Sequence, residues 1–237
     1  MPTYIYAITG ADHPLRLDSL QGVGDPPSPL RTVAGGDVTA VVSDAPEGLR
    51  AKHRDVLAHE AVLESLMADG ATLPMRFGLL GPDDEQVGDA LRRDRDAYRA
   101  RLAELAGHVE FNLKAARDEQ DLLLEIVAES DEIRELNERT RSGAAGQDDR
   151  IALGELVAGQ VAERGKERAE KTLERLLPSA ARAARAEPAA GQFLNVSFLV
   201  PAPSADAFVR AVRDEADRQG EACTFTLTGP LPPYSFV

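Results

Sequence analysis

The sequence predicts an α+β protein of two α+β domains, residues 1–106 and 107–237, the second a modified ferredoxin-like unit with a long helical insertion. Three observations predict this. A chain of 237 residues with 43% hydrophobic content can fill one large core or two small ones. Strand-type alternation begins afresh just past Gly107, after a first series of strands and helices has closed. From there the order of patterns is strand, helices, strand, helix, strand, the order of a ferredoxin-like unit with extra helix in its first crossover.

Each element has a local cause. TYIYAIT at the N-terminus is aromatic and β-branched and reads as a strand. DPPSPL, residues 25–30, is a loop, because proline removes ladder donors and restricts the residue before it. LRTVAGGDVTAVVSDA reads as a hairpin turning at Gly35, Gly36 and Asp37. Residues 53–68 place Val56, Leu63 and Leu66 or Met67 at helical spacing. TLPMRFGLL, residues 72–80, reads as a strand ended by Gly81 and Pro82, after which Asp83 or Asp84 caps a helix reaching about Leu105.

In the second half, HVEFNLKAA puts Val109, Phe111 and Leu113 on one face of a half-buried strand and Glu110, Asn112 and Lys114 on the other. Helix is expected over residues 121–141, a mobile loop or hinge over 142–149, and a long charged helix over 151–186. That helix contains Gly154, Gly159 and Gly165, so packing rather than propensity must hold it. QFLNVSFLVP then reads as a strand, residues 204–219 as a capped helix, and ACTFTLTG as the last strand.

Composition excludes several functions. Twenty-seven basic against forty acidic residues leave a formal charge of −13, which repels nucleic acid and anionic membrane surfaces. A single cysteine, Cys223, permits no intrachain disulfide and no thiolate metal site, as suits a cytoplasmic protein. The N-terminus has no basic leader with an apolar core, and no stretch is long enough for a membrane-spanning helix.

The chemical inventory is thin, and no cofactor is expected. His53 and His59 lie about 120° apart around their helix and share no face. His59 sits on the apolar stripe and reads as a hydrogen-bonded core histidine, and Cys223 as an inert buried thiol with no basic neighbour in its strand. Gly22 and Gly24 lack the third glycine and the helix of a dinucleotide site. Arg76 in LPMRFG stands out: a lone arginine in an apolar strand needs an internal carboxylate or a ligand. The C-terminal LTGPLPPYSFV is apolar and stiff where most termini fray. It is expected to turn at Gly229 and run extended through Pro230, Pro232 and Pro233. Tyr234 and Phe236 then share one side, packed against the chain with one aromatic edge free for a partner.

YIYAIT, HEAVLE followed by TLPMRFG, HVEFNLKA, and the run from FLVP to TGPLPPYSFV together resemble the gas vesicle protein F/L family from Tyr4 to Val237. LPMRFG and GPLPPYSF are the most specific parts. Leu231 stands where the family often has an aromatic residue, and Ala7 where it usually has glycine. The resemblance implies two α+β domains, the C-terminal one ferredoxin-like, and a non-enzymatic accessory role in forming gas vesicles. The implied partners are the small hydrophobic shell protein and other gas vesicle accessory proteins. Pro74, Arg76, Phe77, Gly78, Gly229, Pro230, Pro232, Pro233, Tyr234 and Phe236 are the signature positions and candidate partner-binding residues. The competing reading is a small-ligand-binding or enzymatic α+β domain using Arg76.

Overall fold

The computed structural model describes all residues, Met1–Val237. They form two compact units, Met1–Glu110 with Pro230–Val237, and Phe111–Gly229. The C-terminal tail, which the sequence reading put in the second domain, therefore counts with the first.

The first unit is built on strands β1 (Thr3–Gly10), β2 (Arg31–Ala34), β3 (Val38–Asp44), β4 (Thr72–Pro74) and β5 (Leu80–Gly81). The sheet runs β2-β3-β1-β4, and β5 also pairs with β1. All three neighbours of β1 are antiparallel to it. A bulge between Ile5 and Ala7 resets its alternation. Tyr4, Tyr6 and Ala7 consequently join Val62, Leu63 and Leu66 of helix α1 (His53–Asp69) in one buried cluster. Ile5 and Ile8 instead border a groove with Val87 and Leu91 of α2 (Asp84–Arg93). The β2–β3 hairpin closes tightly: a Cβ on Gly35 would lie 2.1 Å from that of Leu91, so only glycine fits there.

Two expected elements are broken. The strand over 72–80 is interrupted after Pro74, because the chain turns through Gly78 at φ 89° before β5 begins. The helix capped by Asp83, whose Oδ1 accepts from the Gln86 N–H at 2.8 Å, ends at Arg93. Asp94, at φ −102° and ψ 15°, then restarts it as α3 (Arg95–Leu105).

The second unit contains β6 (His108–Arg117), α4 (Glu119–Glu129), α5 (Asp131–Arg141), α6 (Gln147–Leu176), β7 (Arg182–Arg185), β8 (Gln192–Pro201), α7 (Ala205–Gln219) and β9 (Cys223–Leu231). The sheet order β7-β8-β6-β9 is that of a split βαβ, ferredoxin-like unit, with α4, α5 and α6 filling the first crossover. Phe111, Phe198 and Phe208 form its aromatic centre, with ring centroids 5.4 and 5.1 Å from Phe208. Leu122, Ile126 and Ile133 form a smaller core with Leu153, Leu156 and Val157 of α6.

Helix 121–141 is in fact two helices. Ser130 adopts an extended conformation and its Oγ accepts from the Ile133 N–H at 3.3 Å, so it caps α5 instead of continuing α4. Helix 151–186 is shifted: α6 begins inside the expected loop, where Asp149 Oδ2 accepts from the Gly146 N–H at 3.1 Å. It stops before Pro178, in a 3-10 turn. Residues Arg182–Arg185 then pair antiparallel with β8 as strand β7. Gly229 forms no turn; it lies within β9 together with Pro230 and Leu231.

Candidate functional site

Both signature segments converge on the Tyr4–His59 pair. Tyr4 is fully buried on β1 and its hydroxyl lies 2.8 Å from His59 Nδ1 on α1. His59 Nε2 lies 3.0 Å from the Met75 carbonyl. A carbonyl only accepts, so Nε2 carries the proton, Nδ1 is bare, and the Tyr4 hydroxyl donates to it. The Gly78 N–H in turn donates to the Tyr4 oxygen at 3.3 Å. This relay staples the turn after β4 to β1 and α1, and Phe77 packs edge-on against both rings, 5.9 Å from Tyr4 and 5.8 Å from His59. Pro74 is buried opposite Ala7 on edge strand β4, where its missing N–H costs no ladder bond toward solvent.

The electrostatics keep this relay neutral. Burial pushes the Tyr4 hydroxyl far above its ordinary pKa, and Tyr234, also desolvated, is pushed up to about 12. Burial lowers the His59 pKa, which outweighs the Met75 carbonyl that favours the cation. The unfolded chain, titrating near 6.5, therefore binds this proton first. The stability that neutral His59 provides is complete above about pH 6.5 and is lost as pH falls through that value toward the lower folded-state pKa. Melting curves from pH 8 down to pH 5 should show this decline, and His59→Gln should flatten it. An equally steep decline in the variant would dismiss His59 as its source.

The turn is rigid, and what it presents is exposed. Leu79 is tied at both ends, its carbonyl accepting from the Ile5 N–H at 3.1 Å and its N–H donating to the Arg76 carbonyl at 3.2 Å. Arg76, Gly78, Leu79 and Leu80 all face solvent, the two leucines at 41% and 48% exposure. Met75, Leu79 and Leu80 also edge the groove bordered by Ile5 and Ile8, a space of ≈ 220 Å³. The internal ion pair considered for Arg76 does not exist: it sits in a turn, not a strand, and no carboxylate bonds it.

The tail packs on the same cluster from the other segment. Tyr234 is half-buried against the Tyr4 core, Pro233 is buried, and Phe236 is 4% exposed. The expected alternation of an extended chain does not hold. Residues Tyr234–Phe236 make a 3-10 turn, closed by the Phe236 N–H to the Pro233 carbonyl at 3.1 Å. Ser235 is held by Glu110, whose two oxygens accept from its N–H at 2.9 Å and its hydroxyl at 2.7 Å. Glu110 is 3% exposed, not on a solvent face as its alternation suggested. Gly229 and Pro230 are exposed and Pro232 is half-buried.

No three His, Cys, Asp or Glu side chains converge as metal ligands. Cys223 is buried and free, but the fold supplies the basic neighbour its strand lacks, Arg168 Nη1 at 3.6 Å. No helix is long and apolar enough to cross a membrane.

Residues 2–237 match the family described as "Gas vesicle synthesis protein GvpL/GvpF". The chain belongs to the GvpL/GvpF family. Gas vesicle protein F of Streptomyces sp. (strain CB03234) is 41% identical over 239 residues, with all of each chain covered. Gas vesicle protein L of the same strain is 28% identical, covering 99% of this chain and 92% of its own, so the F-type relative is the more similar of the two. The fold matches the crystal structure of GvpF from Anabaena sp. PCC7120 with TM-score 0.85 at 22% identity, over 99% of this chain and 97% of that one. Of the residues that the resemblance singled out, Phe77 and Tyr234 pack on the Tyr4 core, Gly78 donates to the Tyr4 hydroxyl, Pro74 pairs opposite Ala7, and Pro233 and Phe236 are buried in the tail. Arg76 is the one that faces outward as a charge. His59 is the buried, hydrogen-bonded histidine its stripe position predicted, but its partner Tyr4 and the Glu110–Ser235 pair were missed, because those partners lie far away in sequence. For Tyr4 and Glu110, only the family resemblance of YIYAIT and HVEFNLKA pointed at the segments carrying them.

Proposed function

We propose that this chain is a non-enzymatic gas vesicle accessory protein, an assembly factor or minor component, that binds the small hydrophobic shell protein in the cytoplasm while vesicles form. The observation that carries this reading is the turn at residues 76–80, a rigid support that exposes two leucines beside an unpaired arginine and an apolar groove. Exposed aliphatic area on a fixed backbone can bind an apolar partner with little ordering cost, and shielding such a partner before it joins the wall is what assembly requires. No carboxylate, histidine or thiol is bonded to Arg76, which favours contact over catalysis.

Co-expression with the cognate shell protein should recover it in a pull-down, and should raise its soluble fraction. Leu79→Ser with Leu80→Ser should weaken that recovery by about tenfold or more, as loss of an apolar anchor does. Arg76→Met should leave melting within about 0.5 kcal/mol of wild type, since no ion pair is lost, and still reduce recovery. Undiminished recovery with all three substitutions would remove this turn from the partner surface, and no recovery by the wild-type chain would refute shell-protein binding.

A further inference from the structure

A groove of ≈ 940 Å³ lies wholly within the second unit, along α6 from Arg150 to Arg168. Eighteen residue steps at 1.5 Å make it about 27 Å long. Its floor carries Leu153, Val157 and Val161, with Phe193 of β8 on the far wall. Gly154, Ala158 and Ala162 repeat every fourth position between them, so nothing beyond a methyl rises from that line. Internal packing does not demand glycine here: a Cβ on Gly154 would meet nothing within 4 Å, although glycine costs the helix about 1 kcal/mol relative to alanine.

The rim has the opposite sign to the molecule. Arg117, Arg150, Arg164, Lys166 and Arg168 border the groove against a single carboxylate, Glu119, in a chain of net charge −13. Arg164 is already bonded to Glu125 and Glu129, and Arg168 to Gln219. Arg150 and Lys166 are exposed and form no ion pair, and Arg117, bonded to Glu125 through Nη2, keeps buried Nε and Nη1 donors without an acceptor.

We infer that this groove docks an amphipathic helix of a partner protein, whose aliphatic face lies over the exposed Gly154, Ala158, Val161 and Ala162 and whose Asp or Glu side chains, on its two flanks, meet Arg150 and Lys166. Length and charge spacing select this occupant. Arg150 and Lys166 stand sixteen residues apart on α6, about 24 Å, so a single-headed amphiphile such as a fatty acid neutralises only one of them. The two also lie about 160° apart around α6, one on either side of the Gly154–Ala158–Ala162 line, so a helix with carboxylates on both flanks of its apolar face meets both, and the small residues between them let its backbone come close.

A labelled synthetic helix of about 18 residues, the length of the trough, with leucine and alanine on one face and glutamates beside it, is the probe. Fluorescence anisotropy with the full chain should show micromolar binding, and the same peptide with lysines for glutamates should bind at least about tenfold more weakly. Ala158→Glu, which puts a carboxylate on the exposed floor, should reduce binding by about tenfold at an unchanged melting temperature. Should that variant melt early, the pair Arg150→Glu with Lys166→Glu, both on exposed positions, decides in the same way. Equal binding of the acidic and basic peptides overturns the inference, as does unchanged binding by both sets of variants. Oleate binding where the acidic peptide does not bind also overturns it.

Discussion

Removing residues 234–237 is expected to lower the melting temperature by about 10 °C. Phe236 is 4% exposed, and losing a buried phenyl ring costs about 3–5 kcal/mol. In a chain of this size each kcal/mol moves the midpoint by about 2–4 °C. The truncation also strips Glu110 of both hydrogen bonds from Ser235, leaving a buried carboxylate without a donor. Ser235→Ala separates the contributions: it keeps the backbone N–H bond and removes only the hydroxyl, so it should cost about 1 kcal/mol. Phe236→Ala should account for most of the truncation's effect. A truncated chain that melts with the wild type would mean the tail does not stabilise the first unit, and its apolar residues would then have to serve a partner alone.

The double substitution Arg175→Met with Arg218→Met is expected to destabilise the second unit by about 3–5 kcal/mol, because it strands a buried charge. Glu215 on α7 is fully buried. Its oxygens accept from Arg175 at 2.9 and 3.1 Å, from Arg218 at 2.6 Å and from Gln219 at 2.8 Å. The two arginines are about half exposed, so each alone is cheap to lose, and the carboxylate between them is not. Adding Glu215→Leu to the double variant should restore most of the stability, since an apolar side chain tolerates the same site without partners. Urea melts of the three proteins measure this. A triple variant no more stable than the double would show that the loss comes from packing of the arginine stems and not from the stranded charge.

What could be read before folding followed from local chemistry. The β2–β3 hairpin, α1, the Asp83 cap, β6, β8 and α7 each declare themselves through residues within a turn or two of one another. The core histidine was legible for the same reason, since His59 falls between Val56 and Leu63 on one stripe. Errors fell where local signals compete. The helix over 121–141 was split by Ser130, whose hydroxyl offers the backbone a cap at the cost of a break. The helix over 151–186 was cut by Pro178, and β7 beyond it is a strand only because the edge of β8 supplies its ladder bonds.

The candidate sites were less legible than the fold. The family resemblance located LPMRFG and GPLPPYSF in the chain, and the net charge of −13 spoke against a nucleic-acid surface, but neither could tell a supporting residue from an exposed one. Arg76 shows why: in a strand it would have needed a buried partner, and one left-handed glycine two residues later puts it in solvent. The groove on α6 left a trace in the sequence as Gly154 and Gly165, two of the helix's three glycines, which read as a cost until the fold shows the open space above Gly154.

The sequence by itself determined the α+β class, the ferredoxin-like order of the second half, the acidic charge and the family, because periodicity, composition and contiguous motifs are properties of neighbouring residues. The tertiary structure alone decided which polar groups are buried and with whom. Tyr4 meets His59 across 55 residues, Arg175 meets Glu215 across 40, and Ser235 meets Glu110 across 125. A buried polar group is tolerable only with its partner in place, and no local pattern carries the position of a partner so far along the chain.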